Sequence, residues 1–308
     1  MLALYIILGV VGFLSLAFFI TLFVLYHTLF YSPIGDQNND FKLYDSPQFA
    51  GKEDYVVGLI TQLSNKKYED IYVESFDKLK LHAKLYRSNK TNKVAICFHG
   101  YRGTAIRDFS GGACELMSFG ITVILIDERA HGKSEGHTTT FGKRERQDVV
   151  SWANKAKEIL GDNIEIILVG ISLGGATVLF SSELTDDNIK IIADSPYSTI
   201  EEILSDGIRK LKLPVKLFLP IINLSMIIFG HTNLMGLDAS KSIKNSNHKV
   251  LIIHGNKDSV VNYEFSQRVY LENKDKVQYE IFDGADHGLS YIMDDDRYRR
   301  IIKKFIGI

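Results

Sequence analysis

The chain opens on an apolar run. From Leu2 to Phe30 there is no Asp, Glu, Lys or Arg, and the polar interruptions are Ser15, Thr21, His27 and Thr28. About 20 apolar residues at roughly 1.5 Å each cross a hydrocarbon layer of about 30 Å, so residues 1–31 are predicted to form a transmembrane helix. A cleaved leader would have a basic start, a shorter apolar stretch and a small-residue cut site; none is evident, and an uncleaved anchor is expected. Residues 32–68 are polar and mixed, broken by Pro33 and Pro47, and form a lead-in with one short helix around 55–63.

From residue 69 the pattern becomes regular. Two β-rich runs, 70–74 and 79–86, predict an antiparallel pair. Continuous apolar runs at 94–98, 122–126, 164–169, 189–193 and 250–253 predict parallel strands buried on both faces, and 277–282 would close the sheet. Helical-length segments such as 144–160 and 173–184 lie between them, giving the strand-then-helix alternation of a mostly parallel α/β sheet with right-handed crossovers. One interval, 196–248, is too long for a simple crossover. Its apolar stretches 211–219 and 221–229 are divided by Pro214 and Pro220 and ended by Gly230 and Gly236, which predicts a small helical cap over the strand ends. An ordinary pair of packed helices is the alternative.

Composition narrows the picture. With 45% apolar and 24% charged residues the chain should pack, and the about 270 residues beyond the anchor suit one large domain over 69–308. Net charge is −1 and no long run of Lys or Arg occurs, so no nucleic-acid partner is expected. Cys97 and Cys114 give no disulfide framework, Cys97 sitting inside an apolar run. No zinc-type spacing and no His-Glu-x-x-His pattern occurs, so no metal is predicted. Only Lys42 is basic in the twenty positions after the anchor, among Asp36, Asp40 and Asp45, and this flank favours an extracytoplasmic domain.

In open α/β sheets the ligand site lies beyond the carboxyl ends of the strands, so the residues just after each apolar run are the ones to inspect. After run 164–169 comes Gly170-Ile171-Ser172-Leu173-Gly174-Gly175, with a helical segment following. Glycines flanking a sharp strand-to-helix turn relieve collisions there, and the turn lifts a serine hydroxyl above the sheet. A hydroxyl nucleophile needs an imidazole base, and the imidazole needs a carboxylate to hold its tautomer. His99, His131, His254 and His287 are each followed by glycine. In strand-turn-helix serine enzymes the members run serine, acid, histidine along the chain, which selects His287, in a turn after the last strand. Asp258, after run 250–253, is the first choice of acid. Asp194, directly after run 189–193, is the alternative, while Asp286 is too close to His287 in the turn. The oxyanion donors are expected to be the backbone amides of Leu173 and of Tyr101, the latter in His99-Gly100-Tyr101-Arg102-Gly103; the Tyr101 side chain could instead wall the acyl pocket. Residues 127–136 are expected to buttress the site, without a catalytic role for His131. Asp294, Asp295 and Asp296 are expected to form a solvated helix face.

The blocks His-Gly-Tyr, Asp-x-Arg-x-His-Gly-x-Ser, Gly-x-Ser-x-Gly-Gly, His-Gly-x-x-Asp and Asp-His-Gly, in that order from about residue 70 to the C-terminus, resemble the α/β-hydrolase superfamily, nearest its esterase and prolyl-oligopeptidase-like branch. The resemblance implies an α/β-hydrolase fold with an eight-stranded sheet, and cleavage of an ester, thioester or amide through an acyl-serine, without a cofactor. A serine at the elbow argues against haloalkane dehalogenases and epoxide hydrolases, which use aspartate there. Anchor and apolar cap together point to a lipid-like acyl substrate. A peptidase, and an inert hydrolase-fold protein that binds a partner at the membrane, are the competing expectations.

Overall fold

A computed structural model describes residues 1–32, 39–43, 49–186 and 189–308. Pro33 and Pro47, expected to break the lead-in, lie outside these residues, as do Asp36 and Asp45. The chain runs α1 (Leu2–Leu29), α2 (Glu53–Ser64), β1 (Glu69–Glu74), β2 (Lys80–Tyr86), β3 (Lys93–Phe98), α3 (Ala105–Asp108), α4 (Ser110–Ser118), β4 (Thr122–Asp127), α5 (Glu145–Leu160), β5 (Glu165–Ile171) and α6 (Leu173–Phe180). It continues with β6 (Lys190–Asp194), α7 (Ile200–Lys210), α8 (Val215–Gly230), α9 (Ala239–Lys244), β7 (Lys249–Gly255), α10 (Tyr263–Glu272), β8 (Val277–Phe282), α11 (Ser290–Met293) and α12 (Asp295–Ile306).

The eight strands form one sheet in the order β1-β2-β4-β3-β5-β6-β7-β8. β2 pairs antiparallel with both β1 and β4, and every other pairing is parallel. Side chains alternate across each strand, so the apolar runs feed two cores: Val94, Ile96 and Phe98 of β3 face one, Ala95 and Cys97 the other. The first core is closed by α5 and α6, whose buried Val149, Trp152, Ala153 and Ala156 recur at helical spacing. The second is closed by α2, α4 and α12.

α1 is 28 residues long with a mean hydropathy of 2.7, long and apolar enough to cross a membrane. Its residues up to Thr21 are exposed, whereas Leu22, Tyr26 and Phe30 are buried, the last two in the first core. There it packs on α8: the Phe229 ring lies 5.4, 5.5 and 5.7 Å from those of Phe19, Phe23 and Tyr26.

Three local expectations are corrected. Pro220 does not divide the cap, because it sits inside α8, whereas Pro214 caps that helix. Pro220 is the sixth residue of α8, in its second turn, so the helix forgoes one i→i−4 hydrogen bond there and continues to Gly230. α6 stops at Phe180, where Ser181 and Ser182 turn their hydroxyls back to the carbonyls of Val178 and Leu179 and compete with the helix for its own acceptors. The acidic triplet is more than a solvated face: the Asp294 side chain accepts from the Arg297 amide and starts α12.

Candidate active site

Ser172 stands between β5 and α6 with φ +56° and ψ −113°, a strained conformation for a residue with a Cβ, costing on the order of 1–3 kcal/mol. Its neighbours explain the glycines. A Cβ on Gly170 would lie 2.2 Å from the Gly174 carbonyl oxygen, and one on Gly174 would lie 1.9 Å from the Phe98 carbonyl oxygen. The elbow therefore closes only because both positions are bare. The Ser172 amide donates to the Asp194 carbonyl at 2.8 Å, pinning the elbow to β6.

Next to it lies the loop after β3: a Cβ on Gly100 would sit 3.5 Å from the Ser172 Cβ. Gly100 donates its amide to the Asp108 carboxylate at 2.9 Å, and Gly103 donates back to the Gly100 carbonyl. Among the described residues the Tyr101 amide has no acceptor. Leu173 opens α6, so its amide belongs to the first turn, where helices leave donors free and the dipole is positive.

The structure brings Asp258 and His287 together. One Asp258 oxygen accepts from His287 Nδ1 at 2.8 Å and lies 3.1 Å from His254 Nε2, while the other accepts from the amides of Val260 and Val261 at 2.9 and 2.7 Å. Burial would raise this carboxyl, but its hydrogen bonds with the two histidines outweigh it and hold the group well below the usual carboxylate range. Burial likewise works against a charged His287, yet the Asp258 hydrogen bond and charge, with smaller help from the charges of Asp194 and Asp286, keep its pKa above the ordinary 6.5. His287 Nε2 is left for a substrate or for Ser172. Ser172 and His287 line the same cavity, although no hydrogen bond joins them among the described residues; such contacts commonly tighten only when substrate is bound.

Asp194, the alternative acid, is engaged elsewhere. It accepts from Ser195 Oγ at 3.0 Å and Tyr298 Oη at 3.1 Å, and burial raises its pKa. Asp286 clips two loops together, accepting from the Ser259 amide and hydroxyl and from the His287 amide, each at 2.8 Å. His99 and His131 are buried with pKa values pushed down by desolvation, His131 to about 3, so both are neutral rings that accept from the Glu128 and Arg102 amides. His254 was missed as a site residue; its place four residues before Asp258, one helical turn or a tight loop away, was the available signal.

The 127–136 loop is a polar buttress. Arg129 pairs with Asp77 and Asp148, and Asp127 binds His82 Nδ1 at 2.7 Å and the Lys133 amide at 3.0 Å. Glu128 is different: among the described residues both its carboxyl oxygens are buried without a partner, and burial, with Glu145 and Asp148 nearby, lifts its pKa well above 4.5. An acid that holds its proton more tightly when folded loses stability as pH rises from its unfolded pKa through its folded one. Glu128→Gln removes that titration. The thermal midpoint of the variant relative to wild type should therefore rise as the pH is taken upward from the ordinary carboxylate range; a constant difference would show that Glu128 does not titrate with folding.

Beside Ser172 opens a cavity of about 410 Å³. Its walls are mainly apolar: Phe49 from the lead-in, Val56 of α2, Phe109 and Leu116 around α4, Ile292 of α11 and Ile302 of α12. No residue of α7, α8 or α9 lines it. The 196–248 insertion, expected to cap the strand ends, thus contributes no wall to this cavity. The insertion instead packs on α1 and into the first core.

The eight-stranded mixed sheet, with a strained serine elbow, a carboxylate-held histidine and a neighbouring amide loop at its strand ends, has the α/β-hydrolase fold. Comparison with known proteins agrees. The family model for serine aminopeptidases of the S33 type matches residues 89–226, which include Tyr101 and Ser172 but end before Asp258 and His287. A Pyrococcus furiosus esterase superposes with a TM-score of 0.65 at 24% identity, covering 80% of this chain and 93% of its own. Est1E of Butyrivibrio proteoclasticus, solved with ferulic acid bound, superposes at 0.60 with 22% identity over 77% and 97%. The Bacillus subtilis protein YqkD, described as uncharacterised, is 25% identical over 193 residues, 62% of this chain and 63% of its own length. The chain has the α/β-hydrolase fold, and the family model matches its central part.

Proposed function

We propose that the protein is a membrane-anchored serine hydrolase that cleaves carboxylic esters of lipophilic acyl groups. The observation that carries this is the 2.8 Å contact between Asp258 and His287 Nδ1 at a cavity that also exposes Ser172. Ser172 Oγ attacks the ester carbonyl as His287 Nε2 takes its proton, with Asp258 stabilising the imidazolium. The negative charge on the former carbonyl oxygen is met by the Tyr101 and Leu173 amides. Collapse expels the alcohol, which takes the proton from His287, and leaves an acyl-serine. Water then repeats the sequence, releasing the acid and restoring the hydroxyl.

The apolar walls of Phe49, Val56, Leu116 and Ile302 suit an acyl chain. The match to the serine aminopeptidase model favours amide cleavage as a second reading. Both are tested by incubating the full-length chain in detergent micelles with a fluorophosphonate and locating the label by peptide mass spectrometry. Label on Ser172 is expected; an unlabelled folded protein would point to an inert scaffold. A panel of esters and peptide amides of graded length then separates the two chemistries, and turnover of peptide amides alone would overturn the ester reading.

The domain is placed outside the cytoplasm, on the basic-poor flank after α1, in which Lys42 stands near Asp40. Protease added to intact cells should digest the domain, and full protection would reverse the orientation.

A further inference from the structure

The last four carbonyls of a helix have no intrahelical donor, and the negative end of the helix dipole attracts cations. In α1 two of these carbonyls are taken by side chains of one loop. Tyr101 Oη donates to the Leu29 carbonyl at 2.8 Å, and the Arg102 guanidinium donates to the Thr28 carbonyl at 2.7 Å. That loop is the one in which Gly100 lies against Ser172 and the Tyr101 amide has no acceptor among the described residues.

The surroundings lock the arrangement. The Tyr101 ring lies 5.2 Å from Phe141, which lies 5.7 Å from Phe30, and the Arg102 guanidinium stacks 5.0 Å over the Tyr101 ring. The Ser32 amide donates to the His137 carbonyl, the Thr139 amide to the Phe30 carbonyl, and Tyr26 Oη meets Thr138 Oγ1 at 2.5 Å. Arg102 itself has φ +52°, in the left-handed region that a residue with a Cβ adopts at a cost. Its amide is held by His131 Nε2 at 3.2 Å, and Gly100 and Gly103 are held by Asp108 and by each other. These ties fix the flanks of the loop from within the domain. The Tyr101 peptide is fixed through its side chain, and that side chain ends on α1.

We infer that the docked end of α1 sets the position of the oxyanion donor at Tyr101, so that the Tyr101 and Arg102 side chains are positioning residues acting through the membrane helix. The inference rests on the serine-hydrolase reading of Ser172. An oxyanion donor works only within a few tenths of an ångström of its target, so loosening its support lowers turnover more than it weakens ground-state binding. The helix would then be part of the catalytic apparatus as well as a tether.

The test uses the full-length chain in detergent micelles with p-nitrophenyl butyrate. Tyr101→Phe combined with Arg102→Ala, which keeps the ring and removes both ties, should lower kcat about 10-fold with KM within about two-fold. Arg102→Lys in the Tyr101→Phe background should recover part of the loss through its single ammonium. Phe30→Ala leaves the loop sequence intact and unseats the helix end; it should lower kcat in the same sense. It should also speed amide exchange at residues 100–103, a readout that needs no turnover. If Phe30→Ala and the double variant both keep kcat within two-fold of wild type, and exchange of the loop is unchanged, the inference fails while a silent Ser172→Ala keeps the hydrolase reading intact. A wild-type chain that turns over neither esters nor peptide amides and takes no fluorophosphonate label, but whose loop exchange is coupled to Phe30, would reject the hydrolase reading and keep the mechanical link.

Discussion

Ser172→Ala is expected to lower ester turnover by roughly 10⁵–10⁶-fold, and His287→Ala by a similar factor, with the double variant no worse than either alone. The two groups act as one: without the imidazole the hydroxyl keeps its proton, and without the hydroxyl the imidazole has nothing to activate. What survives is the contribution of the amide donors and of binding. Steady-state kinetics of the three variants in micelles decide the matter. Additive losses would mean that Ser172 and His287 do not share a proton, and the mechanism proposed above would be wrong.

Asp258→Asn carries the second largest effect, about 10⁴-fold in kcat at neutral pH. The loss has two sources. An amide in place of the carboxylate can present its NH₂ to Nδ1 and hold the ring in the tautomer that puts the proton on Nε2, where it blocks the base. The variant also removes the charge and hydrogen bond that keep the His287 pKa above 6.5. In the wild type the base is neutral only above that raised pKa, so kcat/KM rises with pH through a limb above the ordinary histidine range. Without Asp258, burial dominates and the limb moves to lower pH. A limb that stays in place would show that another group, with Asp194 first in line, supplies the charge.

How much of this was legible beforehand follows from what each residue needed from its neighbours. The runs at 94–98, 122–126 and 164–169 announced buried strands because both faces of a central parallel strand must be apolar. Ser172 was legible because its glycines are demanded by atoms close in sequence or in the adjoining strand, Gly174 against Phe98 being the extreme case. His287 and Asp258 came from chain order, and their hydrogen bond is a matter of tertiary structure. His254 was hidden because a buried histidine sharing a carboxylate has the same local sequence as any strand-end histidine. The wall of the cavity was hidden for a different reason. Phe49 and Val56 precede the sheet, and nothing in a polar lead-in says which face of the domain it will wrap. Pro220 misled because proline is read as a helix breaker, whereas α8 runs through it and gives up one backbone hydrogen bond.

That wall has a consequence for how related enzymes diverge. Phe49 and Val56 lie upstream of every motif that handles the bond being broken, so a chain can change the molecule it accepts by altering its first sixty residues while leaving the reacting groups untouched. Sorting such proteins by their serine, aspartate and histidine blocks would then group them by chemistry and leave selectivity unread, since selectivity would be written in the stretch that follows the first helix.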